Sequence, residues 1–444
     1  MRGFSAIKLV EPTSRGLADA VSAGVRAGLL VEGDQLPPIR QVARSLRLSP
    51  TTVSAAWHLL QRAGIIRTDG RRGTTISPHT PAGPGRYRKA LERTAVFELD
   101  LSTGLPDPAL LPSIWPALRR ARDSPRPTSY LDDPVLPELV EELRPTWPYQ
   151  AEAFTVTDGA MDAIDLACSA LLRFGDHVAV EQPCFPPLLD LLESTGAQVA
   201  GVRIDDQGPT VESLRAALSR GVAAFFFQPR AQNPTGVSLS EARAAALAET
   251  LSGTNVLLIE DDSAGAIASS AAISLGRWLP EQTVHIRSFS KSHGPDLRLA
   301  AMSGSARHVD AVTERRFLGQ GWTSRLLQAV LLDLLRHRTA QQQVERARAV
   351  YAQRRSRIVD ALASRGVTVG GSDGLNVWLP VRDESAALVR LASRGIGAAA
   401  GSPFAVLPGD TPHLRLTTGL LAEHHDVVDD IADAARAGPW ASPR

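Results

Sequence analysis

Apolar positions in the first 80 residues recur at the spacing of short helices. Leucine or valine occupies every fourth position from 17 to 29, which predicts a helix over residues 13–29 with one apolar face. A second short helix is predicted over residues 38–46, and Ser49 then offers an N-cap for a third helix. The residues that this third helix would bury are Val53, Ala56, Trp57 and Leu60.

The outer face of the third helix is polar, and a predicted hairpin follows it. The outward residues are Thr51, Thr52, Ser54 and His58. The runs IIRT and TTIS flank the turn DGRRG, which predicts two strands with Arg71 and Arg72 at the tip. A helix, a turn, a polar helix and a hairpin together form the pattern of a winged helix-turn-helix. In such a unit, hydroxylated side chains reach base edges, while Arg40, Arg71 and Arg72 suit phosphates.

The charge of this part of the chain supports a nucleic-acid partner. Residues 1–80 hold 11 Lys/Arg against 5 Asp/Glu, and the remainder holds 37 against 42. The segment AGLLVEGDQLPPIRQVARSLRLSPTTVSAAWHLLQRAGIIRTDGRRGT resembles the GntR-type DNA-binding domain. That resemblance implies an operator of double-stranded DNA, recognised through Thr51, Thr52 and their neighbours Ser49, Ser54 and His58. The alternative is a winged helix used only for protein contacts.

Beyond a linker, the pattern changes to strands that alternate with helices. Apolar runs at 154–157, 177–180, 199–202, 223–227 and 256–259 predict a mostly parallel sheet covered on both faces, with ligands at the carboxyl ends of its strands. The predicted divisions are a DNA-binding domain (1–78), a linker rich in proline, glycine and charge (79–96), a large α/β domain (97–337) and a smaller C-terminal α+β domain (338–444).

One lysine lies at the end of a predicted core strand. The apolar run 284–286 is followed by Ser288, Ser290 and Lys291, with Arg298 seven residues later. Burial favours the neutral amine, which forms Schiff bases, and the two hydroxyls and the guanidinium suit a phosphate. A Schiff-base lysine beside a phosphate site indicates pyridoxal 5′-phosphate (PLP). The alternative is a surface lysine in a serine-rich turn.

Two other strand ends carry residues that suit the same cofactor. Gly159, Ala160 and Met161 open a helix, whose free N–H groups and dipole can hold a phosphate. Asp261 and Asp262 follow the apolar strand VLLI, where a carboxylate at the pyridine nitrogen would keep that nitrogen protonated.

Several motifs resemble those of the fold-type I PLP enzymes, the aspartate aminotransferase superfamily. SFSK followed by a proline and LR resembles the lysine segment of that superfamily, and NPTG resembles the motif whose asparagine, here Asn233, donates to the 3-oxygen of the cofactor. Alignment of the acidic motif implies Asp261 at the ring nitrogen, with Asp262 as the fallback. Phe185 in EQPCFPP is implied to stack on the ring, and the alternative is a core phenylalanine.

The same resemblance extends to the substrate side and to a dimer. Tyr130 lies in a segment similar to the one whose tyrosine reaches the phosphate of the neighbouring subunit, which implies a homodimer with shared sites. Arg415 in HLRLTT is implied to bind a substrate carboxylate. The chain has Ser263 and Ala264 where the superfamily usually has a tyrosine. We therefore expect Schiff-base formation without efficient transamination.

The order of the two resemblances matches the MocR-type transcription regulators. That family implies a dimer that binds PLP through Lys291 as an internal aldimine and senses PLP or an amino compound. The alternatives are an aminotransferase with an accessory winged helix, and a regulator whose pocket has lost its cofactor. Retention of five polar groups, namely Lys291, Asn233, Asp261, Arg298 and Arg415, argues against a lost pocket.

Composition adds a cellular setting. The two cysteines, Cys168 and Cys184, provide neither a disulfide framework nor a set of metal ligands, and they suit packing in a reducing compartment. No apolar run approaches the length of a membrane span, and the N-terminus lacks the apolar core of a signal peptide. These features predict a cytoplasmic protein.

Overall fold

The computed structural model divides the chain into two units, Met1–Gly83 and Pro84–Arg444. It describes residues 4, 9, 11–26, 28–62, 65–69, 73–76, 85–86, 97–123, 128–407, 409, 411–421 and 427–438. The predicted hairpin tip with Arg71 and Arg72, and nearly all of the predicted linker, lie outside the described residues. No helix in the described ranges is both long and apolar enough to cross a bilayer.

The first unit has the helices and the hairpin that the apolar spacing predicts. Its elements are α1 (Ser14–Arg26), α2 (Ile39–Leu46), α3 (Pro50–Arg62) and the antiparallel strands β1 (Ile66–Asp69) and β2 (Gly73–Ile76). Its core includes Leu17, Val21, Val42, Val53, Ala56, Trp57, Leu60, Ile66 and Ile76. The predicted winged helix is therefore confirmed over the described residues.

The first helix ends earlier than its apolar spacing predicts. Helix α1 ends at Arg26 rather than at Leu29, and Gly28 adopts a positive φ of 70°. The N–H of Leu29 donates to the carbonyl of Gly24, which closes the last turn in the manner of a glycine cap. Beyond this cap the apolar period no longer reports burial, because Leu29 is 45% exposed whereas the next residue, Leu30, is buried in the core.

The second unit is built on an eight-stranded sheet and a smaller sheet. Its strands are β3 (Leu99–Asp100), β4 (Ala153–Thr157), β5 (His177–Gln182), β6 (Gln198–Asp205), β7 (Gly208–Pro209), β8 (Ala224–Phe227), β9 (Leu257–Asp262), β10 (Thr283–Ser288), β11 (Ala300–Gly304), β12 (Asn376–Pro380), β13 (Ile396–Gly397), β14 (Ala399–Ala400) and β15 (His413–Thr417). Its helices are α4 (Ile114–Arg120), α5 (Pro137–Leu143), α6 (Ala160–Leu171), α7 (Pro186–Ser194), α8 (Val211–Leu218), α9 (Glu241–Leu251), α10 (Ala306–Phe317), α11 (Arg325–Arg336), α12 (Arg338–Ala363), α13 (Glu384–Ala392) and α14 (Val427–Arg436).

The large sheet has the order β4-β11-β10-β9-β8-β5-β6-β7. Strands β10, β9, β8, β5 and β6 pair in parallel, while β11 and β7 are antiparallel to their neighbours. Alternate residues of the strands enter different cores: Phe226 packs with α6 and α7, and Phe225 packs with α8 and α9. Burial on both faces explains the continuous apolar runs, and the predicted fold class is confirmed.

The smaller sheet packs with the end of α12, α13 and α14. It has the order β12-β15-β14, and its core is formed by Val377, Leu379, Leu391, Leu414, Leu416 and Ile431. The short strand β3 pairs with β13, and Leu101 is buried in the same core. The first strand of the second unit therefore joins the C-terminal core rather than the large sheet.

A buried ion pair fastens the loop after β8 to β9. The Nε and Nη2 atoms of Arg230 donate to Asp262 Oδ1 at 2.8 Å and to Oδ2 at 2.7 Å. Burial acts to raise the pKa of Asp262, but the charge and hydrogen bonds of Arg230 outweigh burial and lower that pKa to about 2. The carboxylate therefore stays charged within the core and depends on this arginine.

We expect Arg230→Met to lower the free energy of unfolding by about 3–5 kcal/mol, because it leaves a buried carboxylate without its main partner. Arg336→Met is the matched control. It removes an ion pair at 2.9 Å to Glu142 in which both side chains are much more exposed, and it should cost at most about 1 kcal/mol. Urea unfolding followed by tryptophan fluorescence measures both, and equal losses would contradict the role given to the buried pair.

Candidate functional site

The predicted site residues follow the carboxyl ends of neighbouring strands in the large sheet. Gly159 follows β4, Phe185 follows β5, Asn233 follows β8, Asp261 is the penultimate residue of β9, and Lys291 follows β10. Because these ends lie at one edge of the sheet, the topology brings the residues to a common region. The positive charge of Arg415, which lies on β15 of the smaller sheet, also acts on Lys291.

The amine of Lys291 is held in an environment that favours its neutral form. Burial lowers the pKa of Lys291, the negative charge of Asp261 opposes that effect, and the positive charge of Arg415 adds to it. The neutral amine is the form that attacks an aldehyde.

The structure distinguishes the two acids at the end of β9. Asp262 is occupied by Arg230. Asp261 accepts a hydrogen bond at its Oδ2 from Gln228 Nε2 at 2.6 Å, whereas its buried Oδ1 has no hydrogen-bond partner among the described residues. Burial raises the pKa of Asp261, and the Gln228 bond and the Lys291 charge act in the opposite direction. A buried, unpaired carboxylate oxygen is costly, so it fits a donor such as the protonated ring nitrogen of PLP.

The start of α6 and Arg298 form a cradle that suits a phosphate. Gly159 is the N-cap of α6 with φ 98°, and a Cβ atom there would lie only 2.8 Å from Arg298 Nη2. The same Nη2 donates to the carbonyl of Asp158 at 3.1 Å. Ala160 and Met161 contribute the first N–H groups of the helix. Ser288 is buried at the end of β10 and Ser290 is partly buried beyond it.

The loop that carries Asn233 is tied to the smaller sheet. The side-chain oxygen of Asn233 accepts from Asn376 Nδ2 at 3.3 Å. The carbonyl of Gly236 accepts from the N–H groups of Ser372 and Asp373, each at 3.0 Å. The C-terminal core thus contacts the same loop that is expected to reach the cofactor.

Arg415 lies in the middle of β15 and is only 1% exposed. Its Nη2 donates to the carbonyl of Ser102, and its Cζ is 5.6 Å from the centre of the Phe404 ring. A buried guanidinium whose positive charge acts on Lys291 is suited to a ligand carboxylate.

The remaining aromatic residues have different surroundings. Phe185 precedes α7 and lines a small cavity together with Asp261. Tyr130 is 86% exposed, and its ring centre is 5.7 Å from that of Trp322. Within one chain, Tyr130 is therefore open to another molecule.

The polar start of α3 forms a hydroxyl cluster. Ser49 Oγ accepts from the N–H of Thr52 at 3.0 Å, and it lies 2.7 Å from the hydroxyls of both Thr51 and Thr52. Ser49, Thr51, His58 and Arg40 are exposed, and Thr52 and Ser54 are partly exposed. The cluster is an N-cap and a polar surface at once.

Four residues around the site were not singled out by the sequence: Glu181, Gln228, Arg230 and Arg316. Gln228, Arg230 and Glu181 are polar residues in or just after apolar strands, which is a usable signal. Arg316 gave no signal, because it lies in a charged stretch of α10. It is buried and donates to the carbonyl of Val156 at 2.6 Å and to Asp158 Oδ2 at 2.8 Å, which supports the turn before Gly159.

Comparisons with known proteins agree with this arrangement. Residues 13–76 match the family of bacterial regulatory proteins of the gntR type, and residues 98–430 match aminotransferase class I and II. The vitamin B6 salvage pathway transcriptional repressor PtsJ of Salmonella typhimurium is 35% identical, over 95% of this chain and 98% of its own. The pyridoxine biosynthesis transcriptional regulator PdxR of Corynebacterium glutamicum is 29% identical, over 89% of each chain.

Solved structures establish the fold of the second unit. A kynurenine aminotransferase from Pyrococcus horikoshii superposes with a TM-score of 0.68 at 22% identity, covering 78% of this chain and 95% of its own. The aspartate aminotransferase of Thermus thermophilus gives 0.67 at 23% identity, covering 78% and 94%.

Fold and site define a DNA-binding regulator whose larger unit is an aminotransferase-like domain with PLP as its cofactor. The chain belongs to the MocR-type transcription regulators, in which a GntR-type winged helix precedes a class I and II aminotransferase domain.

Glu181 gives a prediction for the pH dependence of stability. Burial raises its pKa to about 8, although the N–H of Gln228 donates to its Oε2. Between the ordinary pKa of a glutamate and about 8, the folded state binds more protons than the unfolded state, so stability falls as pH rises. Glu181→Gln keeps an acceptor and cannot ionise. In cofactor-free protein it should melt above the unsubstituted protein by about 2 °C or more at pH 8, with a smaller difference at pH 5.

The exposed Glu212→Gln is the matched control, because its side chain is solvated in both states. A difference in melting temperature that stays constant from pH 5 to pH 8 for Glu181→Gln would contradict this interpretation.

Proposed function

We propose that this protein is a transcription regulator that senses PLP, or an amino compound that exchanges with it, through a Schiff base of Lys291. The observation that carries the proposal is the unpaired, buried Asp261 Oδ1 at the strand edge that also holds a lysine of lowered pKa. The names of the similar regulators PtsJ and PdxR refer to vitamin B6 salvage and pyridoxine biosynthesis. They favour PLP itself as the effector and vitamin B6 genes as the target.

Each residue of the site has a task in this proposal. Asp261 accepts from the ring nitrogen, Asn233 donates to the 3-oxygen, and Phe185 packs on the ring. The phosphate is held by the start of α6 with Gly159, Ala160 and Met161, by Ser288 and Ser290, and by Arg298. When bound, PLP supplies an aldehyde that links covalently to the Lys291 amine.

The exposed Tyr130 supports a homodimer as the sensing unit. A tyrosine that is 86% exposed beside Trp322 is placed to reach outside its own chain. We propose that it reaches the phosphate of the second subunit, so that each site is completed by both chains.

The contact between Arg415 and Ser102 supplies a route from ligand to DNA. A carboxylate that binds Arg415 competes with the Ser102 carbonyl for the guanidinium. Ser102 lies a few residues beyond the predicted linker to the winged helix, so its displacement acts on the segment that joins the two units. A ligand shifts DNA affinity in this way only if it binds the two arrangements unequally.

An aminotransferase with an accessory winged helix is the second candidate. The observation in its favour is the shared fold and the retained set of cofactor contacts. Against it, Ser263 accepts from Gln228 Nε2 at 3.0 Å, and Ser263 and Ala264 provide no tyrosine hydroxyl. Single-turnover assays with amino acids separate the candidates, since an enzyme converts the lysine-bound cofactor rapidly to its amine form.

Lys291→Ala should abolish the visible absorbance band that PLP gives with the unsubstituted protein, because no amine remains to form the Schiff base. The chain has only three lysines, Lys8, Lys89 and Lys291, so borohydride reduction and peptide mapping can assign the bond without ambiguity. Lys89→Ala is the matched control and should keep the band. Reduced cofactor on a peptide other than the one containing Lys291 would overturn the assignment.

Removing one phosphate contact from the winged helix should flatten the salt dependence of DNA binding. For Arg40→Ala, the slope of log affinity against log salt should fall in magnitude by about 0.9, and for Arg71→Ala with Arg72→Ala by about twice that. Arg215→Ala, an exposed arginine of α8, is the control and should leave the slope unchanged. Fluorescence anisotropy with operator DNA measures the slope, and unchanged values in the wing variants would show that the wing does not contact phosphate.

A further inference from the structure

One buried amide side chain lies between two of the expected cofactor contacts. Gln228 immediately follows β8 and is 8% exposed. Its Nε2 donates to Asp261 Oδ2 at 2.6 Å and to Ser263 Oγ at 3.0 Å. Its Oε1 accepts from the N–H of Asn233 at 2.6 Å. The acid expected at the ring nitrogen and the loop expected at the 3-oxygen are thus joined by a single side chain.

The orientation of this amide follows from its partners. The backbone N–H of Asn233 can only donate, so the oxygen of the Gln228 amide must face it. The NH₂ group is then directed at Asp261 and Ser263, and both of its hydrogens are used. The backbone of Gln228 is fixed as well, because its N–H donates to Glu181 Oε2 at 3.0 Å.

Only an amide meets these demands at neutral pH. A carboxylate cannot donate to Asp261 and would repel it, and an apolar side chain would leave both the acid and the N–H without a partner. The bond to Asp261 is charge-assisted, which makes it the stronger of the three. It occupies Oδ2, and this leaves Oδ1 as the oxygen without a partner among the described residues.

We propose that Gln228 is a positioning residue that sets the Asp261 carboxylate toward the ring nitrogen and locks it to the Asn233 loop. The inference rests on the proposed function, since it concerns the same cofactor. Without Gln228, Oδ2 loses its donor and the carboxylate is free to rotate or to take up a proton. Asp261 and the Asn233 loop, which are expected to bind the ring nitrogen and the 3-oxygen, are then no longer held by one side chain. This changes the pH at which the absorbance of the Lys291-bound cofactor titrates.

Gln228→Met and Gln228→Glu test the proposal together. Methionine keeps the length of the side chain and removes all three hydrogen bonds. We expect PLP binding to weaken about tenfold or more. The midpoint of the pH titration of the absorbance band should also shift, and lowering the pH should not restore it. The introduced carboxyl of Gln228→Glu can donate to Asp261 only when protonated. The absorbance band of the Gln228→Glu variant should therefore match that of the unsubstituted protein at low pH and differ from it increasingly as pH rises.

The charges around position 228 determine whether the absorbance band of Gln228→Glu recovers at low or at high pH. Asp261, which accepts from the Gln228 side chain, disfavours a second negative charge at this position, and Glu181 on β5, which accepts from the Gln228 N–H, adds to that effect only above its pKa of about 8. The positive charge of Lys291 acts on Asp261. The carboxyl is consequently protonated at low pH, where recovery is expected. A merely structural role would give no pH-dependent recovery of the band.

Gln232→Met is the matched control in the same loop. Gln232 donates to the carbonyl of Pro183 and accepts from Thr235, and none of these bonds involves Asp261. This variant should weaken PLP retention while leaving the titration midpoint of the band in place. An unshifted midpoint in Gln228→Met, or the same shift in Gln232→Met, would overturn the role of Gln228. A missing band in the unsubstituted protein would instead overturn the proposed function.

Discussion

Every charged or polar group buried at the carboxyl edge of the large sheet requires a partner, and this requirement organises the second unit. Asp261 and Asp262 are consecutive on β9, so their side chains leave the strand on opposite faces. Asp262 is neutralised by Arg230, with Arg287 Nε at 3.8 Å and His285 Nε2 at 3.9 Å nearby. Asp261 is left with a single donor and faces the pocket. One acid is therefore paired within the core, and the other keeps an oxygen without a partner among the described residues.

The same requirement links the large sheet to the C-terminal core. The carboxylate of Asp373 accepts from the N–H groups of Ser269 and Ser270 at 2.9 and 2.8 Å, just beyond β9. Arg355 is buried and donates to the carbonyl of Gly370 at 3.0 Å. Movement of the smaller sheet must therefore break or carry these bonds together. Because a buried polar group without a partner is costly, these bonds resist any such movement.

The sequence predicted most of the fold, because the fold depends on local patterns, and the candidate site residues that it names stay predictions. Apolar runs predicted the strands, and hydroxylated and acidic residues at their ends predicted the pocket. The sequence left Asp261 and Asp262 as alternatives, since the choice depends on which acid Arg230 reaches. Arg316 supports the turn before Gly159 from 158 residues away, and no local pattern reports such a contact. The early end of α1 was missed because a glycine cap overrides apolar spacing.

The position of Arg415 bears on how an aminotransferase-like pocket would act in regulation under the proposed function. In an enzyme, binding of the substrate carboxylate aligns the bond that reacts. In a sensor, binding of a carboxylate must instead change a contact within the protein. Here the guanidinium is already engaged by the carbonyl of Ser102, and the N–H of Gly104 donates to Thr417 Oγ1 at 2.9 Å on the same strand. The segment that follows the predicted linker is thus held by β15, the strand that carries Arg415. In the proposed function, a ligand carboxylate at Arg415 replaces a bond to a neutral carbonyl with a charge-assisted bond. In the proposed function, such a ligand shifts the segment only by as much as its affinities for the two arrangements differ, whether or not the lysine-bound cofactor proceeds to transamination.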